Sequence, residues 1–184
     1  MLSVGAPVTG KFFFNRREEL REVLRTLRRD NVLLVGPRRY GKTSFMMEVE
    51  RRLDRRGETC LFLDVMAIDS PKAFIIELAD AFFTESKEGR KTRLLGALRG
   101  AFSRIEEVEA SIMGSEVRVK FREVLKEGID EHNWAEKGEA VFKAITETYE
   151  NRLVYILIDE LSECVNNMIR KESEDVRRFL QWFR

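Results

Sequence analysis

The chain has 184 residues, enough to bury the core of one ordinary domain and too few for a second full one. Its 33 Lys and Arg stand against 32 Asp and Glu, so no overall field draws it to nucleic acid or to a membrane, and any such contact has to be local. No stretch approaches the roughly 20 apolar residues of a membrane-spanning helix, and the N-terminus lacks a secretory h-region, so a soluble, cytoplasmic protein is expected.

Residues 1–12 are small, apolar and turn-forming. From Arg16 to Arg29 the spacing of Leu20, Val23, Leu24 and Leu27 predicts a helix with one apolar face. Asn31 to Val35 is a short apolar run that reads as a strand, and it enters Gly36-Pro37-Arg38-Arg39-Tyr40-Gly41-Lys42-Thr43, which fits the phosphate-binding pattern G-x-x-x-x-G-K-[ST]. A helix from Lys42 to about Arg56 should follow and end near Gly57. Cys60 to Val65 is continuous and apolar, as expected of a strand covered on both faces.

Ser70-Pro71 reads as a helix start, Ser70 as the cap and Pro71 at the first helical position, feeding a face of Phe74, Ile75, Leu78, Ala79 and Phe82. The basic run Lys87, Arg90, Lys91 and Arg93 is interrupted by Glu88 and has no interleaved aromatic residue, which makes it a solvated face rather than a nucleic-acid patch. In Val117-Arg118-Val119-Lys120-Phe121 strict alternation predicts a half-exposed strand or hairpin arm just after Gly114. Trp134 to about Glu150 predicts a helix that leads into Leu153 to Ile158, the strongest strand signal in the chain. Leu161 to Arg184 reads as a loop followed by a helix through Val176, Phe179, Leu180 and Phe183. Cys60 and Cys164 have no metal-ligand spacing and read as free thiols, and His132 lies in a polar stretch with no role assigned.

The chemistry sits in two places. The glycines of the 36–44 loop let backbone N–H groups face a polyphosphate, and the helix beginning at Lys42 adds the positive end of its dipole. Gly36, Pro37, Arg38, Arg39, Tyr40, Gly41, Lys42, Thr43 and Ser44 are therefore the expected triphosphate-binding segment. Within it Lys42 neutralises the β- and γ-phosphates and Thr43 offers a hydroxyl to Mg²⁺, while Arg38 and Arg39 either pair with phosphate or face solvent. The second place is Asp159-Glu160, an acidic pair at the carboxyl end of a buried strand, where open α/β sheets place their ligands. Asp159 is expected to hold Mg²⁺ through its water shell, and Glu160 to orient the water that attacks the γ-phosphate or to take its proton.

Together these motifs resemble the AAA+/STAND side of the P-loop ATPases, and most closely the archaeal ATPase family, whose phosphate loop reads Gly-x-Arg-Arg-x-Gly-Lys-Thr-Ser. Upstream, Phe13-Phe14-Asn15-Arg16-Arg17-Glu18-Glu19-Leu20 is similar to a box that lies beside the adenine in related ATPases. The resemblance implies adenine-side roles for Phe14 and Arg16; read from the residues alone, a helix-entry staple and an ion-pairing arginine serve as well. It covers most of the chain and is weakest over residues 85–135. It implies an α/β fold of the P-loop NTPase class, a three-layer sandwich with a mostly parallel sheet, built as a single domain over residues 1–184.

That fold also has a strand after the acidic one, carrying a polar residue that senses the γ-phosphate, and then a helical lid. Neither is recognised in this sequence. The absent strand belongs between the phosphate-loop strand and the acidic strand, so the sheet is expected to have a gap there. Three explanations stand open: a fragment of a longer ATPase, which is the favoured one, a strand supplied by a partner, or a non-hydrolytic divergence. The functional expectation is Mg²⁺-dependent ATP hydrolysis, with ATP and ADP as ligands, coupled to a conformational switch or to remodelling of a protein partner or a second copy. The competing expectation is a nucleotide-gated protein- or DNA-binding module with little or no turnover. No Asn-Lys-x-Asp segment that would read guanine is apparent, which leaves adenine as the default base.

Overall fold

A computed structural model of the chain describes residues 7, 9, 10, 13, 16–37, 39–112, 114, 116–150, 152–171 and 175–183. Two compact units emerge: the first takes Met1–Phe62 with Leu153–Asp159, the second Leu63–Arg152 with Glu160–Arg184.

In the first unit, helix α1 (Arg17–Thr26) buries Leu20 and Leu24, and helix α2 (Lys42–Asp54) buries Phe45, Met46, Val49 and Leu53. Strand β1 (Thr59–Asp64) begins in this unit and leaves it at Leu63, and strand β2 (Val154–Asp159) lies beside it in a two-stranded parallel sheet. Residues alternate along β2, with Tyr155, Leu157 and Asp159 buried and Val154, Ile156 and Ile158 half-buried. Tyr155 and Leu157 join the α1 and α2 side chains in one apolar core, to which Phe13, Leu34, Cys60 and Phe62 add their edges. Burying such side chains is the main favourable term for a unit of this size.

Asn31 to Val35, expected as a strand, belongs to no sheet. Exposed and half-buried residues still alternate along it, with Leu34 against the core while Leu33 and Val35 are 81% and 86% exposed. The apolar period is that of a strand, but a strand forms only where a neighbour supplies backbone hydrogen-bond partners, and β2 pairs with β1. The described sheet is accordingly a two-stranded one.

The second unit is helical. Its α3 (Pro71–Glu85) starts as the sequence predicts, with the Ser70 hydroxyl accepting the Ala73 amide at 3.3 Å. It is followed by α4 (Glu88–Leu98), α5 (Ile105–Ala110), α6 (Val117–Gly128) and α7 (Trp134–Thr148). After β2 come α8 (Leu161–Arg170) and α9 (Val176–Trp182).

Two expectations fail in this unit. Residues 117–121 form the first turn and more of a helix, not a strand. The alternation is only five residues long, whereas Val117, Phe121, Val124 and Leu125 form a buried helical stripe, and Arg118 and Arg122, one turn apart, both reach the buried Asp80 of α3. The segment after Glu160, expected as a loop, is α8: Cys164 and Met168 are buried one turn apart, and the Asn167 amide donates to the Met66 carbonyl at 2.9 Å. No helix among the described residues is long and apolar enough to cross a membrane.

Candidate functional site

The first unit brings the loop and one acidic residue together. Gly41 adopts the left-handed conformation (φ 75°) that only glycine takes without strain, and it turns the chain into α2, whose first residue is Lys42. The first helical N–H groups therefore open onto the loop, with the positive end of the helix dipole behind them. Arg39 is also left-handed (φ 63°), a conformation unfavourable for a side chain with a Cβ. Arg39 and Tyr40 are exposed.

Thr43, in the first turn of α2, donates its hydroxyl to Oδ2 of Asp159 at 2.6 Å. The two residues are 116 positions apart in sequence, and Asp159 is only 7% exposed at the end of β2. A hydroxyl and a carboxylate, both hard oxygen donors, suit Mg²⁺, which takes few protein ligands and keeps several waters. Ser44, the next residue of α2, is buried. No cluster of three or more His, Cys, Asp or Glu side chains able to hold a metal occurs among the described residues.

Lys42 folds back onto its own loop, donating to the carbonyls of Gly36 at 3.0 Å and Pro37 at 3.2 Å. These contacts place the ammonium across the curve of the loop. Glu160 follows Asp159 directly in the chain and opens the second unit, left-handed (φ 58°) and half-buried at the N-cap of α8.

Of the remaining sequence-predicted residues, Phe14 and Arg38 lie outside the described residues. Arg16 packs its guanidinium over the Phe45 ring of α2, 4.6 Å from the centroid, and Phe13 meets the same ring at 6.0 Å. The segment before α1 is thus held against the helix that follows the phosphate loop.

Sequence reasoning overlooked Glu48. This α2 residue is 1% exposed, accepts the Gly10 amide at 2.9 Å, and pairs with both Arg51 and Arg52. Burial pushes its carboxyl up, but the hydrogen bonds from Arg51, from the Gly10 amide and from Arg52 outweigh that and bring it down to about 2. The i,i+3 and i,i+4 spacing to two arginines was a visible signal; the contact with Gly10 was not. Both cysteines are free thiols: burial, with Glu50 and Asp54 nearby, pushes Cys60 up to about 12, and burial beside Asp69 pushes Cys164 up to about 11. Neither is a thiolate at neutral pH.

No curated protein and no solved structure matches the chain. A family model described as an ATPase domain predominantly from Archaea matches residues 13–184, spanning the loop, the acidic strand and the weakly resembling stretch between 85 and 135. The chain therefore belongs to this archaeal ATPase family of the P-loop NTPases.

Proposed function

We propose that the chain binds ATP with Mg²⁺ and hydrolyses it in a cytoplasmic P-loop domain of the three-layer α/β kind, and that the nucleotide state drives a conformational switch or remodels a partner. The observation that carries this reading is the 2.6 Å hydrogen bond from Thr43 to Asp159, because it joins the first turn of the phosphate-loop helix to the acidic strand tip. A metal-triphosphate needs both groups at one place.

In this reading the N–H groups of the residues after Pro37, to Ser44, cradle the phosphates, and the Lys42 ammonium leaves the Gly36 and Pro37 carbonyls for the β- and γ-phosphate oxygens. The Thr43 hydroxyl and the Asp159 carboxylate would hold Mg²⁺, the hydroxyl as a ligand and the carboxylate through its water shell. Mg²⁺, when bound, neutralises charge on the β- and γ-phosphates. Glu160 orients a water whose oxygen bonds to the γ-phosphorus as the bond to the β,γ-bridging oxygen breaks. The carboxylate takes the proton, and ADP and inorganic phosphate leave. Arg16 and the segment around Phe14 flank the adenine.

The test is phosphate release from MgATP together with binding of a fluorescent ATP analogue. Lys42→Ala should abolish binding, whereas Glu160→Gln should bind ATP and release no phosphate. Full affinity in Lys42→Ala would refute the assignment, and binding without turnover in the native protein would favour a nucleotide-gated module.

A further inference from the structure

The near-neutral total charge conceals an uneven distribution. The first unit carries fourteen Lys and Arg against nine Asp and Glu, the second nineteen against twenty-three. The excess of the first unit is not spread evenly over its surface.

Helix α1 sorts its side chains by angle. At about 100° per residue, Leu20, Val23, Leu24 and Leu27 point to the core, Arg17, Arg21, Arg25 and, in the turn just past the helix, Arg28 fall within an arc of about 80° beside that face, and Glu18, Glu22 and Glu19 occupy the adjoining arc. All four arginines of the flank are exposed. Arg28 reaches Glu58 at 2.9 Å, which joins this flank to the turn after α2, where Arg55 and Arg56 are also exposed. Among the described residues no carboxylate pairs with Arg17, Arg21, Arg25, Arg55 or Arg56, whereas Arg16, Arg51, Arg52, Arg104, Arg118 and Arg122 each pair with one.

We propose that the arginine flank of α1, continued by Arg55 and Arg56, is a binding surface for the phosphate backbone of double-stranded nucleic acid. Guanidinium groups bind phosphate in a fixed, bidentate fork. Arg17, Arg21 and Arg25 stand about 6 Å apart along the helix axis, about 12 Å in all, while a B-form duplex carries one phosphate charge per about 1.7 Å of its axis. The flank therefore faces several phosphates of a duplex at once. Neither α1 nor the 55–58 turn contains an aromatic residue, so the surface has no platform on which unpaired bases could stack. The large exposed apolar residues of this unit, Leu33, Val35, Tyr40 and Leu153, all lie outside α1 and the turn, so a protein partner would find no apolar anchor on the flank. The contacts read charge and spacing, not sequence.

The experiment is fluorescence anisotropy of the intact chain with a labelled 24-base-pair duplex between 25 and 200 mM NaCl. The logarithm of the binding constant should fall linearly with that of the salt concentration, with a slope of about −4 to −5 for five neutralised phosphates. The triple variant Arg17→Gln/Arg21→Gln/Arg25→Gln should reduce that slope by about 2.7 and weaken all duplex sequences alike. The pair Arg55→Gln/Arg56→Gln, on a separate turn, should reduce it by about 1.8 and guards against a folding defect in the first variant. Lys126→Gln/Lys143→Gln/Arg177→Gln, three exposed basic residues of the second unit, should change nothing. Absence of duplex binding at 25 mM NaCl, an unchanged slope in both arginine variants, or arginine-dependent binding of polyglutamate without binding of duplex would overturn the proposal. None of these outcomes bears on whether ATP is bound.

Discussion

Glu48 and Gly10 are joined by a 2.9 Å hydrogen bond from the Gly10 amide to a carboxylate oxygen buried in the side of α2. The segment before α1 is thereby tied to the helix that carries Lys42 and Thr43. Because the folded Glu48 carboxyl titrates at about 2 and an ordinary one at 4.5, its contribution is complete above about pH 4.5 and is lost as pH falls towards 2. The shift corresponds to about 3 kcal/mol. Glu48→Gln should therefore be less stable than the native chain by about that amount at pH 7, and the difference should shrink below pH 4.5, as urea unfolding at pH 7, 4 and 2.5 would measure. A constant difference across that range would mean that the ionised form contributes nothing.

Thr43 and Asp159 make a sharper test, because the hydroxyl and the methyl group of a Thr→Val pair differ little in shape. Thr43→Val should keep the fold and raise the Mg²⁺ concentration needed for half-maximal phosphate release by roughly 10–100-fold, the usual effect of disturbing a metal's supporting shell. Thr43→Ser, which retains the hydroxyl, should restore the native Mg²⁺ dependence. If valine and serine behave alike in a Mg²⁺ titration, the hydroxyl has no part in metal binding.

Glu160 carries a left-handed backbone that a Cβ makes costly by about 1–2 kcal/mol. Glycine takes the same conformation freely. Glu160→Gly should thus give a higher thermal midpoint than Glu160→Gln, and both variants should eliminate turnover. Strain retained at Glu160 is the pattern expected if the proposed hydrolysis uses this residue. Equal thermal midpoints for the glycine and glutamine variants, measured by calorimetry, would show that this backbone conformation stores no strain.

The legible parts of the chain were those in which local sequence and tertiary environment agree. α2 follows its glycine turn, α3 starts at Ser70-Pro71, and β2 ends at the acidic pair, because each is specified by a few adjacent residues. Asn31 to Val35 misled because its period describes a face to be buried, whereas sheet membership depends on a neighbouring strand that no residue in the segment encodes. Residues 117–121 misled for the opposite reason: five alternating residues suit a strand, yet Asp80, 38 positions earlier, collects Arg118 and Arg122 from consecutive helical turns. At the candidate site the sequence supplied Lys42, Thr43 and Asp159. By assigning Thr43 and Asp159 to one Mg²⁺ it also called for the two to lie close together, but it could not supply the direct hydrogen bond between them or the anchoring of Gly10 by Glu48, since both join segments far apart in the chain.

Gly138, in the middle of α7, shows how tightly the second unit is packed. A helix interior disfavours glycine by about 1 kcal/mol relative to alanine, so by propensity alone Gly138→Ala should stabilise the helix. The surroundings reverse the sign. A Cβ at this position would lie 2.5 Å from Cζ2 of Trp182 and 2.9 Å from Cδ1 of Ile75, and Trp182 is itself fixed edge-on against Trp134, with ring centroids 5.7 Å apart. The indole cannot retreat without unpacking Trp134 and Phe179, both fully buried. Gly138→Ala should therefore destabilise the second unit by about 1–3 kcal/mol, the range for overpacking a filled core, and the double variant Gly138→Ala/Trp182→Leu should recover part of the loss by removing the ring that the new methyl meets. Urea unfolding followed by tryptophan fluorescence measures both, and a stabilised single variant would mean that α9 does not pack on α7 in solution as it does in this structure.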